Sequence, residues 1–210
     1  MNQNLFNYND EDINSVIEYT HQLLNRKFAD VMEEYNRSLY KTYEDYSERV
    51  VSEVNDKKIS MKSKGQYGNY IEKYFFGYQP NNDSEADFEK IGVELKVTPF
   101  KVNKNGTLSA KERLVLTILN YMEENLEDFY STHLWKKCAK ILLLFYNGLI
   151  PNQTMEDYVI EKIFLYEWFE EDMPVILEDY KKITDKIKSG KAHELSESDG
   201  NYLSTCTKGA

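Results

Sequence analysis

The middle of the chain alternates. From Ile91 to Val97, Ile91, Val93, Leu95 and Val97 point one way, and Gly92, Glu94 and Lys96 the other. That period of two predicts a half-buried strand. Pro99 has no backbone N–H, so it is expected to end this strand or set it at a sheet edge. Asn103-Lys104-Asn105-Gly106 follows, with Asn-Gly at the tip of a predicted hairpin. Two further apolar runs, Arg113 to Leu119 and Lys140 to Tyr146, read as strands.

On both sides the period changes. Between Asp10 and Val54, Ile13, Val16, Ile17, Leu23 and Leu24 recur at helical spacing without an intervening proline. A second helical stretch, Phe28 to Val54, lines up Phe28, Val31, Met32, Tyr35, Leu39, Tyr43 and Tyr46, and the polar run Asn55 to Ser60 breaks it. Lys64 to Gly68 reads as a loop feeding a helix over about Gly68 to Phe76, with Tyr70, Ile71, Tyr74 and Phe75 as its buried side. Gly77 to Glu85 is a turn-rich loop. Met155 to Ile187 predicts one or two helices with a break before Pro174, and Gly190 to Ala210 is a polar tail with Tyr202-Leu203 in it. The pattern is α+β (mixed α/β): a strand-rich centre flanked by helices, with an N-terminal helical arm.

Length and composition bound this picture. A chain of 210 residues, 41% apolar, fits one domain. We divide it into a helical segment (1–58), a core (59–150) and C-terminal helices with a tail (151–210), and expect it to be the N-terminal part of a longer protein. No run of 18 apolar residues predicts a membrane span, and the N-terminus lacks the features of a secretory signal. Cys138 and Cys206 match no metal spacing and read as free thiols in a reducing cytoplasm. The net charge of −10 argues against nucleic acid only in sum. Lys90 to Arg113 holds six basic and two acidic residues, whereas Met1 to Ser60 has a net charge of −5 and Thr154 to Ile187 of −6. The basic centre tolerates a local DNA contact.

The strand carries candidate chemistry. Glu94 and Lys96 leave the same face, and Asp87 precedes Glu94 by seven residues. Two converging carboxylates can hold Mg2+, and a neighbouring lysine can orient a water or stabilise phosphate charge. This D…ExK pattern also arises by chance, and a solvated ion pair on a strand face explains it equally well. Glu72 lies within an aromatic helix, where a buried carboxylate needs a partner or a metal, although a place on the polar side of that helix would also account for it. His21, His133 and His193 read as structural or surface residues.

Two stretches taken together are more specific. Lys64-Gly-Gln-Tyr-Gly-Asn-Tyr-Ile-Glu72, then Asp87-Phe-Glu-Lys-Ile-Gly-Val-Glu94-Leu-Lys96-Val-Thr-Pro, resembles the MutH/Sau-three-A-I family of GATC-specific endonucleases. Lys111 to Leu116, Gly190 to Ser196, Tyr202-Leu203 and Cys206 to Ala210 extend the resemblance towards the N-terminal catalytic domain of that family's type II restriction enzyme. The similarity runs from about Lys62 to Ala210, and the segment before it resembles nothing nameable. It implies a restriction-endonuclease-like core with a central mixed sheet. It implies Asp87, Glu94 and Lys96 as the catalytic triad, Glu72 near the metals and Lys137 as an additional active-site lysine. Mg2+ would be held by Asp87, Glu94 and Glu72. Lys208 falls on the base-contacting lysine of the recognition loop, and Cys206 stands where MutH has an arginine. Lys64, Lys101 and Arg113 are further candidate DNA contacts. The implied partner is double-stranded DNA containing GATC, cut before the G. The chain is expected to be a monomer in solution, with a dimer on DNA, a second domain or successive nicks giving double-strand cleavage. A nickase at hemimethylated GATC and a non-catalytic DNA-binding domain remain open alternatives.

Overall fold

The computed structural model describes residues 6–38, 66–78, 85–122, 126–150 and 154–206. Four strands form one mixed sheet in the order β2-β1-β3-β4. They are β1 (Val93–Val102), β2 (Leu108–Ala110), β3 (Lys140–Asn147) and β4 (Ile160–Glu167). β1 and β3 are parallel, and the two outer pairings are antiparallel. The β1-to-β3 crossover contains the helix His133–Cys138, as a parallel pair requires a long connection.

β3 is covered on both faces, which explains its almost continuous apolar sequence KILLLFYN. Leu142, Leu144 and Tyr146 face the main core, and Ile141 faces a second one. The main core packs against α1 (Ile13–Thr20), α2 (Phe28–Ser38) and α3 (Gln66–Tyr70), which runs on as a π-helical stretch over Ile71–Phe76. The second core packs against α4 (His133–Cys138) and α5 (Met173–Lys188).

The helical arm is therefore seated in the fold. Val16, Leu23, Phe28 and Val31 are fully buried among Tyr67, Ile71, Phe75 and Phe76. Leu24 and Lys27 also bridge to Ile160 and Val159. Leu39, Tyr43 and Tyr46, expected on the second helix, lie outside the described residues.

Three local expectations change. Met155 to Ile187 is not helical throughout: Ile160–Glu167 forms β4, an outer strand. Its Ile160, Ile163 and Phe164 fall at helical spacing, and a register shift between Phe145 and Tyr146 disturbs the alternation that would have revealed the strand. The break before Pro174 holds, because proline sits in the first turn of α5, where no N–H is needed. Arg113 to Leu119, read as an apolar strand, is no strand, and among the described residues it has no ladder partner. Pro99 does not end β1, which continues to Val102. Its carbonyl accepts from Lys111 N–H at 3.1 Å on the β2 side. N–H and C=O of one strand residue point the same way, so the missing donor faces the end of short β2 and costs the β3 ladder nothing. The expected Asn-Gly hairpin is present, with Gly106 at φ 82° and its N–H on Asn103 O at 2.9 Å.

Candidate active site

A small hairpin explains why Asp87 and Glu94 are seven residues apart. Phe88 and Val93 exchange backbone hydrogen bonds of 2.9 and 3.3 Å around the 3-10 turn Glu89–Ile91. Gly92 closes the turn at φ 62°, a conformation most side chains resist. Phe88 thus sits opposite Val93, and Asp87 falls opposite Glu94. Leu95 N–H donates to Asp87 Oδ2 at 2.8 Å, and Asp87 N–H donates to Glu94 Oε2 at 3.3 Å.

Glu94 is 2% exposed. Such a carboxylate is tolerated only when paired, and two lysines pair it. Lys96 Nζ lies 2.7 Å from Oε1, as the period of β1 predicts. Lys137 Nζ lies 3.7 Å from Oε2 and donates to Glu85 O at 3.0 Å. Lys137 is delivered by α4, which Thr132 caps at its start and which buries Leu134 and Cys138 in the second core.

Glu72 comes from the π-helical stretch and is 9% exposed. The stretch buries Ile71, Phe75 and Phe76, with Tyr67 ahead of it, while Tyr70 and Tyr74 are only partly covered. This differs from the straight α-helical side expected from sequence, because the wider π turn brings Phe76 inward. Tyr8 and Tyr19 hydroxyls donate to Phe76 O and Phe75 O at 2.9 and 3.1 Å, satisfying carbonyls at its end.

The acids feel one another. Burial, then Asp87 and Glu94, push the Glu72 carboxyl up to about 7. Burial, then Glu94, push Asp87 up to about 6, against the pull of Leu95 N–H, Lys96 and Lys137. Tyr78, which sequence reasoning missed, lies within the field of the same acids. Its buried hydroxyl has no hydrogen-bond partner among the described residues, and burial, Asp87 and Glu72 all suppress its ionisation. Its only sequence signal is an aromatic ring straight after the glycine that caps the helix.

This donor set suits a hard divalent cation. Among the described residues no three His, Cys, Asp or Glu side chains form a ready-made cage. Magnesium needs only one or two carboxylates and keeps its waters. Asp87 and Glu94 are such a pair, and the raised acids mark negative charge crowded out of water. The remaining candidates lie elsewhere. Lys101 is half-buried on β1 opposite Ser109. Arg113 donates to the Ser204 hydroxyl and lies 3.5 Å from Glu197. Lys64 and Lys208 lie outside the described residues.

A pH dependence follows. Asp87 and Glu72 bind protons more tightly folded than unfolded, so their contribution favours the fold at low pH. It is lost as pH rises through about 6 and about 7. These groups are expected to lower the metal-free Tm by about 5 °C between pH 5 and pH 8. Mg2+ should recover more of it at pH 8 than at pH 5. Scanning calorimetry with and without Mg2+ checks this, and Tm values insensitive to both would refute the pairing.

A mixed sheet with helices on both faces, and acids and lysines gathered at one end of β1, defines a restriction-endonuclease-like fold. Comparison with known proteins narrows the class. Residues 76–179 match the family model described as DNA mismatch repair enzyme MutH, a span that includes Asp87, Glu94, Lys96 and Lys137 but not Glu72. The chain is also similar to the type II restriction enzyme Sau3AI of Staphylococcus aureus, 41% identical over 162 residues, which is 76% of this chain and 33% of that enzyme. The chain belongs to the MutH/Sau3AI family. It spans about a third of the length of the curated relative it matches. Among the described residues no helix is long and apolar enough to cross a membrane.

Proposed function

We propose that this chain is a single catalytic domain of a type II site-specific deoxyribonuclease, hydrolysing double-stranded DNA at GATC with Mg2+. One observation supports this above the others: Glu94, with Asp87 beside it on the hairpin, is held between Lys96 and Lys137. A solvated ion pair needs neither burial nor a second lysine.

Asp87 and Glu94 would hold the cation, with Glu72 adding negative charge beside them. The cation supplies charge stabilisation at the phosphate and a more acidic water. Lys96 and Lys137 place positive charge where the attacked phosphate becomes more negative, and Lys96 is set to orient the incoming water. Water oxygen bonds to phosphorus in line as the P–O3′ bond breaks. The 3′ oxygen leaves with a proton and the 5′ side keeps the phosphate. Lys208 is the proposed base reader, through guanine O6 and N7, with cleavage before the G.

The test is digestion of a GATC-bearing plasmid with Mg2+, beside a plasmid without the site. Linear product from the first alone is expected. The family description also favours a second reading, a nickase at hemimethylated GATC. Nicked circles, formed only on hemimethylated duplex, would select it. DNA binding without cleavage in Mg2+ or Mn2+ would leave a non-catalytic domain and defeat both.

A further inference from the structure

The tail beyond α5 has little apolar packing of its own. Between 190 and 206 only Leu203 reaches the second core, and Tyr202 is exposed. Ordering a polar segment costs conformational entropy at every residue, so something else must hold it. Polar links do so. Lys186 Nζ donates to Asp199 Oδ1 at 2.8 Å and to Glu194 O at 3.1 Å, and Asp199 Oδ2 accepts from Ser196 N–H at 2.7 Å. Arg113 reaches Ser204 and Glu197 from the other side.

The centre of this arrangement is Asp179. It sits on α5 beside Tyr180 and is 0% exposed. Its Oδ2 accepts three consecutive backbone N–H groups: Asn201 at 2.8 Å, Tyr202 at 2.8 Å and Leu203 at 3.2 Å. Three successive amides around one anion make a nest, a strong and directional arrangement. Lys182 Nζ, 3.6 Å from Oδ1, offsets the charge of the oxygen that has no hydrogen-bond partner among the described residues. The turn also depends on Gly200. A Cβ there would lie 1.7 Å from Leu203 O and 3.1 Å from Asp179 Cγ. An apolar contact would have sufficed to cover the helix, so a buried carboxylate aimed at three amides fixes backbone position.

We propose that Asp179 is a positioning residue for sequence reading: it sets Gly200–Leu203, and so the point from which the chain carries Lys208 to the DNA. This inference rests on the reading of Lys208 as base reader given above. Asp179 is distant in sequence from the D…ExK residues and takes no part in bond breaking.

The test compares the full chain with Asp179→Asn and, independently, with Gly200→Ala, which acts from the opposite side of the contact. Three measurements are made: amide exchange of 201–203, kcat and KM on a GATC duplex, and the cutting ratio of that duplex to one with a single base changed. In both variants we expect faster exchange at these amides, KM raised about tenfold with kcat within about twofold, and a cutting ratio reduced by a similar factor. A merely structural role would lower kcat with the folded fraction and leave KM and the ratio alone, and that result overturns the proposal. Wild-type KM and ratio despite faster exchange overturn it too. If the wild-type chain fails to select GATC, the functional reading falls and takes this inference with it.

Discussion

Asp87→Asn protein is expected to lose GATC cleavage by about a thousandfold or more while remaining folded. That is about 4 kcal/mol of barrier, within what a metal site supplies to phosphate chemistry. The asparagine carbonyl can still accept Leu95 N–H, the 2.8 Å bond that ties the hairpin to β1. What it lacks is the charge. Asp87 is raised to about 6 by burial and by Glu94, so its negative charge is a burden on the metal-free fold. The variant should therefore match or exceed the wild-type Tm at pH 8 without metal, and gain less from added Mg2+. Loss of activity together with an unchanged or higher Tm separates chemistry from folding. Wild-type cleavage rates in the variant would remove Asp87 from the site. Lys96→Ala tests the same assembly from its positive side, since it leaves Glu94 with Lys137 alone at 3.7 Å.

The contrast between these residues and their surroundings shows what a single sequence can reveal. The period of β1 placed Glu94 and Lys96 on one face, because a strand's side-chain direction is local. The hairpin at Asn105-Gly106, the strand at Lys140–Asn147 and the proline-led start of α5 were legible for the same reason. Lys137 was reached through the resemblance alone. Its position depends on α4 packing onto the second core, a long-range event that no period records. β4 was read as helix because Ile160, Ile163 and Phe164 fall at helical spacing, and its partner lies in β3, which no local pattern indicates. Arg113 to Leu119 failed in the opposite sense: it is an apolar run read as a strand, yet among the described residues no strand pairs with it. An apolar run shows that a segment is able to pair; a partner decides whether it does. Asp179 was hidden because its three amides lie more than twenty residues away.

The N-terminal helices show how far such long-range packing reaches. Phe28→Ala is expected to cost about 3–5 kcal/mol, lowering Tm by about 10 °C. Phe28 is 1% exposed at the start of α2. Its ring meets those of Tyr67, Tyr70 and Tyr74 edge-on, with centroids 5.1, 5.9 and 6.3 Å away. Those tyrosines belong to the helix that presents Glu72, and Tyr19 of α1 donates to the same helix at Phe75 O. Truncation therefore removes buried area and loosens the platform behind one acid of the site. We expect a smaller effect on activity than Asp87→Asn gives: a few-fold drop in kcat at a temperature where the variant is still folded. Deleting residues 1–58 should go further and leave no cooperatively folded protein, because Val16, Leu23, Phe28 and Val31 leave the main core together. Thermal denaturation followed by circular dichroism checks both. A deleted protein that melts cooperatively near the wild-type Tm would show that residues 59–210 make their own core, and that α1 and α2 merely rest on it.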